Sequence, residues 1–315
     1  MELREIKYLL CIYRHKGITK AAEELYLTQP ALSKFLKNME TRIGGPLFSR
    51  MGNELVPTYL GERIIYYALK LERLQNDCEM ECADLLGEQV GTLSIAVPFM
   101  RGSCLLAPVL KRFYEEYPRV QVTLMEETRM LETHMLSDRG VHLLLGNNPY
   151  SKNHLIYREL AREEILLVAP RDHFLKESAV ERPDCRYPWV DLSLAAGEKF
   201  LLHPQDQTTG RIALDVLHQA GITAPEILMH TRNSILAYQL AAEGMGLAFI
   251  PESYALHINL PDPPALYSVG NPKTETKLYI AYQKGRYLPT YALRFIQLLR
   301  EELAAMDCFQ IKADL

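Results

Sequence analysis

The sequence predicts an α + α/β chain in which a small helical head and one long helix precede two α/β lobes. Three observations predict it. Charge divides by region: residues 1–67 hold 10 Lys/Arg and 7 Asp/Glu, and the remainder 25 and 32, within a formal net charge of −4. One stretch repeats apolar residues at alternating spacings of four and three, the signature of a helix that pairs with another helix. After Gly87 and Gly91 the pattern changes to strands alternating with helices. At 315 residues the chain is long for one domain, and 48% hydrophobic residues supply real cores. The slightly acidic balance excludes a chain that is basic throughout and coats nucleic acid by bulk charge.

Residues 3–15 place Leu3, Ile6, Leu9, Leu10 and Tyr13 at helical spacing, and Gly17 stops the pattern. Thr19 is expected to cap a second short helix over 20–25, whose Ala21-Ala22 pair suits a close helix crossing. After a turn at Tyr26-Leu27, Thr28 caps a third helix with Pro30 in its first turn, where a missing N–H costs least. Leu27 and Leu32 sit at hydrophobic-staple positions across that cap. Leu32, Leu36, Met39 and Ile43 form the buried stripe, which leaves Gln29, Pro30, Ser33, Lys34, Lys37 and Thr41 exposed until Gly44-Gly45 ends the helix. Residues 46–50 and Leu55-Val56 flank a Gly52-Asn53 turn, a short hairpin of the kind called a wing. A long helix then runs over 58–86. Leu60, Ile64, Tyr67, Leu71, Leu74 and Cys78 form its seam, Glu81 breaks it once, and Leu85 resumes it. Such a seam wants a partner helix, most simply its own copy.

Strands are expected at 92–97, 120–125, 141–145 and 165–169, with helices ending at Tyr117-Pro118 and near 131–137. A second set places strands at 200–202, 227–229 and 248–250 and helices at 211–220 and 235–243. A strand at 277–282 and a helix at 290–302 close the chain. Alternation of this kind implies parallel sheets, better packed here as two small lobes than as one.

A short helix, a turn and a capped helix with lysines on its free face make the helix-turn-helix pattern, whose second helix enters the major groove of duplex DNA. Gln29, Ser33 and Lys34, beside Pro30, would meet base edges; Gln pairs bidentately with adenine and Lys with guanine. Thr28 and Lys37 would hold phosphates, and Arg50 on the wing would reach the backbone or minor groove. A helical hairpin with a merely solvated basic face gives the same pattern.

The run Ala21-Ala22…Leu25…Thr28-Gln29-Pro30-Ala31-Leu32-Ser33…Met39-Glu40…Gly44…Leu47-Phe48…Arg50…Thr58…Gly61 resembles the winged helix-turn-helix of LysR-type transcriptional regulators. Gly91-Thr92-Leu93-Ser94-Ile95, Phe113…Tyr117-Pro118 and Gly244-Met245-Gly246-Leu247-Ala248-Phe249-Ile250-Pro251 resemble that family's effector-binding lobes. The resemblance covers nearly the whole chain. It implies a winged helix-turn-helix at 1–58 and a dimerising linker helix at 59–87. It further implies a two-lobed, Rossmann-like and periplasmic-binding-protein-like effector domain. Lobe I would span 88–162 and 268–315 and lobe II 163–267, with crossovers near 162–164 and 267–270. It implies a homodimer that often assembles into a homotetramer. The expected function is a sequence-specific transcriptional regulator of promoter DNA, without catalysis, governed by a small anionic effector such as an organic acid.

In α/β sheets ligands collect beyond the carboxyl ends of strands, where helix N-termini present free N–H groups. Three such ends are expected: residues 98–103 in one lobe, and 205–210 and 231–234 in the other. Arg101, Arg129 or Arg232 would neutralise an acid there, Phe99 and His203 would contact its ring or chain, and Ser103, Thr208 and Thr231 would offer hydroxyls. Each of these side chains has an ordinary alternative role as cap or solvated surface group.

No cofactor or metal site is expected. The glycines at 244 and 246 lack the third member of a dinucleotide loop, and there is no P-loop, G-x-S-x-G or H-E-x-x-H. Cys78 and Cys82, one turn apart, are expected to pack, and Cys104 is ambiguous. The opening Met1-Glu2-Leu3-Arg4-Glu5 has no signal-peptide core, and no apolar run approaches the ~20 residues of a membrane span. The expectation is a cytoplasmic protein without membrane contact. The rival reading is an α/β binding protein or enzyme with an accessory helical domain.

Overall fold

A computed structural model of the chain describes residues 2–126, 141–148 and 154–312. The helix expected near 131–137 and Arg129 lie outside the described residues. The chain folds as two compact units, one up to Glu88 and one from Gln89 onward.

In the first unit, α1 (Leu3–His15) buries Ile6, Leu9, Leu10, Cys11 and Ile12, while Leu3 and Tyr13 stay exposed. Its buried face is wider than the expected stripe because both α2 (Ile18–Glu24) and α4 (Tyr59–Leu85) pack on it. Lys16 closes α1 in the left-handed conformation at φ 50°, and extended Gly17 is the N-cap of α2. Thr19 therefore lies inside α2 rather than capping it.

The third helix, α3 (Gln29–Ile43), buries Leu32, Leu36 and Met39 and ends at Gly44, whose φ of 90° is the left-handed value a glycine adopts without steric cost. Thr28 occupies the N-cap position, but its hydroxyl makes no capping bond, contrary to expectation. The hairpin of β1 (Phe48–Met51) and β2 (Glu54–Pro57) pairs Met51 with Glu54 across Gly52-Asn53. Helix α4 is capped by Thr58, whose hydroxyl accepts from the Gly61 N–H at 3.0 Å and donates to the Pro46 carbonyl at 2.7 Å. A Cβ on Gly61 would stand 1.9 Å from the Leu47 carbonyl oxygen, so only glycine lets α4 seat against the chain entering the wing. Gly61, Ile65 and Ala68 form the inner face, and Tyr67, Leu71 and Leu74 of the seam point outward, Leu74 at 67% exposure.

The second unit is one mixed sheet covered by helices. Strands β3 (Gly91–Val97), β4 (Val120–Glu126) and β5 (Leu143–Asn147) are parallel, with α5 (Phe99–Glu116) between β3 and β4. Strand β6 (Leu155–Ala169) runs far longer than the expected 165–169. Beyond it lie α6 (Leu175–Ser178), β7 (Lys199–Leu202), α7 (Thr208–Gln219), β8 (Glu226–His230), α8 (Ser234–Ala242), β9 (Leu247–Pro251) and α9 (Glu252–Ala255). Strands β7, β8 and β9 are again parallel. The chain returns through β10 (Ala265–Tyr267) to β11 (Glu275–Gln283), α10 (Thr290–Ala305) and β12 (Gln310–Ile311).

Not every pairing is parallel. Strand β11 runs antiparallel to both β5 and β6, and β6 antiparallel to β9. Strand β6 pairs with β11 through Glu164 and with β9 from Ile165 onward, so one continuous strand threads both halves of the sheet. The alternation rule misses this because it describes strands joined by helices, and β6 and β11 are reached by other routes. Phe113 of α5 meets Phe295 of α10 edge-on at 5.7 Å in the core of one half. Phe200 and Phe249 stack in the other.

Candidate functional site

Two polar surfaces stand out, one on each unit. On the first, Gln29, Pro30, Lys34, Lys37 and Thr41 are exposed along α3, and Ser33 is half-buried. Gln29 Nε2 donates to Ser33 Oγ at 3.3 Å, one turn along the same face. Some basic residues of this unit are held in ion pairs. Arg42 Nη2 donates to both carboxylate oxygens of Glu5 at 2.8–2.9 Å, and Lys16 Nζ pairs with Glu54 Oε2 at 3.2 Å. No acid lies within ion-pairing distance of Lys34, Lys37 or Arg50 among the described residues. Glu40 fixes the wing by accepting from the Leu47 N–H at 2.8 Å. Glu40 thereby ties α3 to the start of the wing, and Lys34, Lys37 and Arg50 are among the cations of this unit that carry no acidic partner among the described residues.

On the second unit, β3 and β7 end at α5 and α7, and β8 ends at α8. Pro98 and Gln207 are the N-caps of α5 and α7, and neither makes a side-chain capping bond. Asn233 does cap α8, accepting from the Ile235 and Leu236 N–H groups at 3.0 and 3.2 Å. The starts of α5 and α7 meet at one residue. Asn147, at the end of β5, accepts from Arg101 of α5 on its side chain at 3.2 Å and from Thr208 of α7 on its backbone carbonyl at 3.2 Å. Gly210 lets the chain leaving β7 pack against the first turn of α7, since a Cβ there would lie 2.3 Å from the Pro204 carbonyl oxygen.

The sequence-expected effector residues divide. Phe99 is 53% exposed at the first turn of α5. Ser103 Oγ is turned back onto the Phe99 carbonyl at 3.1 Å. Thr231 accepts from the Asn233 N–H at 3.1 Å and supports the α8 cap. His203 is buried and bonded to Ser234 Oγ at 2.9 Å; burial, and next the Arg232 charge, lower its pKa to about 4, so it is neutral.

The two described arginines require correction as effector anchors. Arg101 is fully buried against Glu163 at 2.5 Å, donates to Ser253 Oγ at 2.9 Å and lies 4.8 Å from the Tyr254 ring. Its charge is answered inside the protein. Burial is the largest single influence and acts to lower its pKa, but Glu163 and Tyr254 together more than offset it, so the pKa is raised and the group stays cationic. Arg232 Nη2 donates to both carboxylate oxygens of Asp206 at 2.5–2.6 Å. Cys104 is buried and its thiol is pushed up to about 11 by desolvation, so it carries a proton at neutral pH.

Sequence reasoning missed Asn147, Asn148 and Glu163. Asn148 sits at φ 45° and ties β5 to β11 through the Lys277 N–H at 3.0 Å. Two adjacent asparagines closing an apolar run were the available signal, since Asn tolerates the left-handed conformation at a strand end.

A winged reading head on a two-halved α/β ligand-binding body defines a DNA-binding regulator. Residues 3–62 match the bacterial regulatory helix-turn-helix protein of the lysR family and residues 86–304 match the LysR substrate binding domain; the chain belongs to the LysR family of transcriptional regulators. It is similar to the uncharacterized HTH-type transcriptional regulator YcgK of Bacillus subtilis (strain 168), with 28% identity over 313 residues covering 96% of this chain and 95% of the relative. It is 26% identical over 310 residues to the RuBisCO operon transcriptional regulator of Allochromatium vinosum, covering 98% of each. Full-length OxyR from Pseudomonas aeruginosa shares its fold with a TM-score of 0.73 at 17% identity, covering 100% of this chain and 99% of that one. Full-length CbnR complexed with its target DNA does so with a TM-score of 0.64 at 20% identity, covering 96% and 100%. The family's proteins regulate transcription and are not enzymes. No helix among the described residues is long and apolar enough to cross a membrane.

Proposed function

We propose that α3 reads promoter DNA in the major groove through Gln29, Ser33 and Lys34, with Pro30 at its entry. Thr28 and Lys37 hold phosphates, and Arg50 reaches the backbone from the wing. The observation that carries this reading is the free face of α3: Gln29, Lys34 and Lys37 are exposed along it without an acidic partner among the described residues, and Arg50 is exposed on the adjoining wing. The uncapped hydroxyl of Thr28 leaves it free for a phosphate at the helix N-terminus. The outward seam of α4 pairs two copies, as a dimer or within a tetramer, and two heads then favour a roughly palindromic cytoplasmic DNA target. Full-length CbnR, which shares the fold, is a protein solved with target DNA.

The effector is a small anion bound where α5 and α7 begin. Two uncapped helix N-termini meeting at Asn147 support this site, and the asparagine cap of α8 argues against Thr231 and Arg232 as its centre. Phe99, Ser103 and Thr208 are the contacts we place there, with His203 behind them. Binding that favours one arrangement of the two halves over another shifts the equilibrium only by its difference in affinity.

Gel-shift titration tests the DNA reading. Gln29→Ala is expected to change base preference, whereas Lys37→Ala weakens all sequences alike and reduces the salt slope by about one. Unchanged titrations for both variants would overturn it. Small carboxylic acids that bind the second unit are expected to raise its melting point, and Thr208→Val to abolish the shift.

A further inference from the structure

Cys11 and His15 stand one helical turn apart on α1, on the side that meets α2, and Glu24 is the last residue of α2. Cys11 Sγ donates to the Ala21 carbonyl at 3.5 Å, and His15 Nε2 pairs with Glu24 Oε2. The three ligand atoms lie within 4.8 Å of one another, a convergence found at no other group of three His, Cys, Asp or Glu side chains among the described residues. None of the three belongs to the DNA-reading face.

We propose that Cys11, His15 and Glu24 bind one zinc-like divalent cation, with water in the fourth position. A donor set of one sulfur, one nitrogen and one oxygen selects Zn²⁺ or Co²⁺ over Mg²⁺ and Ca²⁺, which prefer oxygen alone. Tetrahedral zinc with bonds of about 2.0–2.3 Å holds its ligand atoms roughly 3.3–3.6 Å apart. That spacing fits inside the observed triad, so side-chain rotation suffices: the His15–Glu24 contact opens by about 1 Å and Cys11 releases the Ala21 carbonyl. Access is from solvent, since the side chains of His15 and Glu24 are 30% and 53% exposed while Cys11 is fully buried. Binding replaces the thiol proton, which leaves to solvent, and forms a metal–sulfur bond. The resulting Zn²⁺, thiolate, carboxylate and neutral imidazole sum to zero charge, which suits a partly buried place.

The consequence is mechanical. Glu24 lies four residues before Thr28, where α3 begins, and a bound ion would tie that end of α2 to α1. The metal would therefore stiffen the turn that aims the reading helix.

The test uses the full chain, reduced and stripped with a chelator, and titrated with Co²⁺. A thiolate-to-cobalt charge-transfer band is expected in the near-ultraviolet, saturating at one ion per chain and bleached by Zn²⁺. Cys11→Ser should remove the band. Glu24→Gln, at an exposed position, should weaken Co²⁺ binding at least tenfold while the chain keeps its wild-type circular dichroism, and a Cys78→Ser/Cys82→Ser variant should retain binding in full. Metal binding is also expected to raise the melting temperature of the wild-type protein but not of Glu24→Gln. The proposal is overturned if the band survives Cys11→Ser, if it is lost only with Cys78 and Cys82, or if no band forms at tens of micromolar metal.

Discussion

Replacing Arg101 by methionine tests whether its buried ion pair holds the second unit together. The guanidinium and the Glu163 carboxylate are 2.5 Å apart and both side chains are 0% exposed. At an effective dielectric of about 20 their attraction is roughly 7 kcal/mol, opposed by several kcal/mol of desolvation for each ion. The net value of the pair is therefore small, but the value of breaking it is not. Arg101→Met leaves a carboxylate in the core, still accepting from the Ser253 N–H at 3.0 Å but without its cation, and should cost about 3–5 kcal/mol. Arg101→Met/Glu163→Leu removes both charges and should recover most of that loss. Trp189, the single tryptophan, lies in this unit and donates to the Gly270 carbonyl at 2.8 Å, so its fluorescence follows urea unfolding directly. With a slope near 3 kcal/mol per molar, the single variant's midpoint should fall by about 1–1.7 M. A loss below about 1 kcal/mol, or a double variant no better than the single, would refute the reasoning.

Three further outcomes are expected. Burial lowers His142 to about 3 and His203 to about 4 from the ordinary imidazole value of 6.5, so their stabilisation is complete above pH 6.5 and is lost as pH falls towards those values. Glu252 has the opposite sign: burial raises it from 4.5 to about 7, so it stabilises below pH 4.5 and that contribution is lost as pH rises through 7. Urea midpoints across pH 4–8 should show His203→Gln flattening the acid limb and Glu252→Gln flattening the neutral limb. Gly61→Ala should cost roughly 3 kcal/mol or more by forcing α4 off the Leu47 carbonyl, against about 1 kcal/mol for Gly52→Ala, where φ is 62° but space is open; thermal unfolding ranks the two. Leu71→Glu/Leu74→Glu should leave folding intact, since both side chains are exposed, yet shift sedimentation towards the monomer.

The head was legible because its signals are local. Amphipathic spacing, Pro30 in a first turn and a glycine-asparagine hairpin each act within a few residues, and the helices fall within three residues of their expected bounds. The fine capping was not, because Gly17 and Thr19 compete for one cap and only packing of α2 on α1 decides between them. In the second unit the strands between helices were visible, but β6 showed only its apolar end at 165–169. Its first ten residues carry Arg158, Glu159, Arg162, Glu163 and Glu164, a density of charge that reads as surface. Glu163 and Glu164 are nevertheless buried, and the partner that permits the first of them is Arg101, 62 positions earlier. A contact of that range leaves no periodic trace, so Arg101 read as free to bind a ligand.

The buried Arg101 gives the proposed effector site a bonded route through the second unit. Arg101 begins α5 beside the proposed anion site, and it touches Asn147 at the end of β5, Glu163 on the strand that threads both halves, and Ser253 after β9. Asn147 in turn accepts from Thr208 at the start of α7. An anion taking the N–H groups of α5 and α7 would therefore pull on elements already bonded to the shared strand. It need not neutralise Arg101, which would expose Glu163 to the cost of an unpaired buried charge. It needs only to favour one spacing of Asn147 and Thr208 over another, because that hydrogen bond is where the two helix starts meet. Thr208→Ser keeps the hydroxyl and should preserve the effector response, whereas Thr208→Val, equal in size but unable to donate, should bind DNA normally and respond to no acid. A full response in Thr208→Val would place the coupling elsewhere than at Asn147.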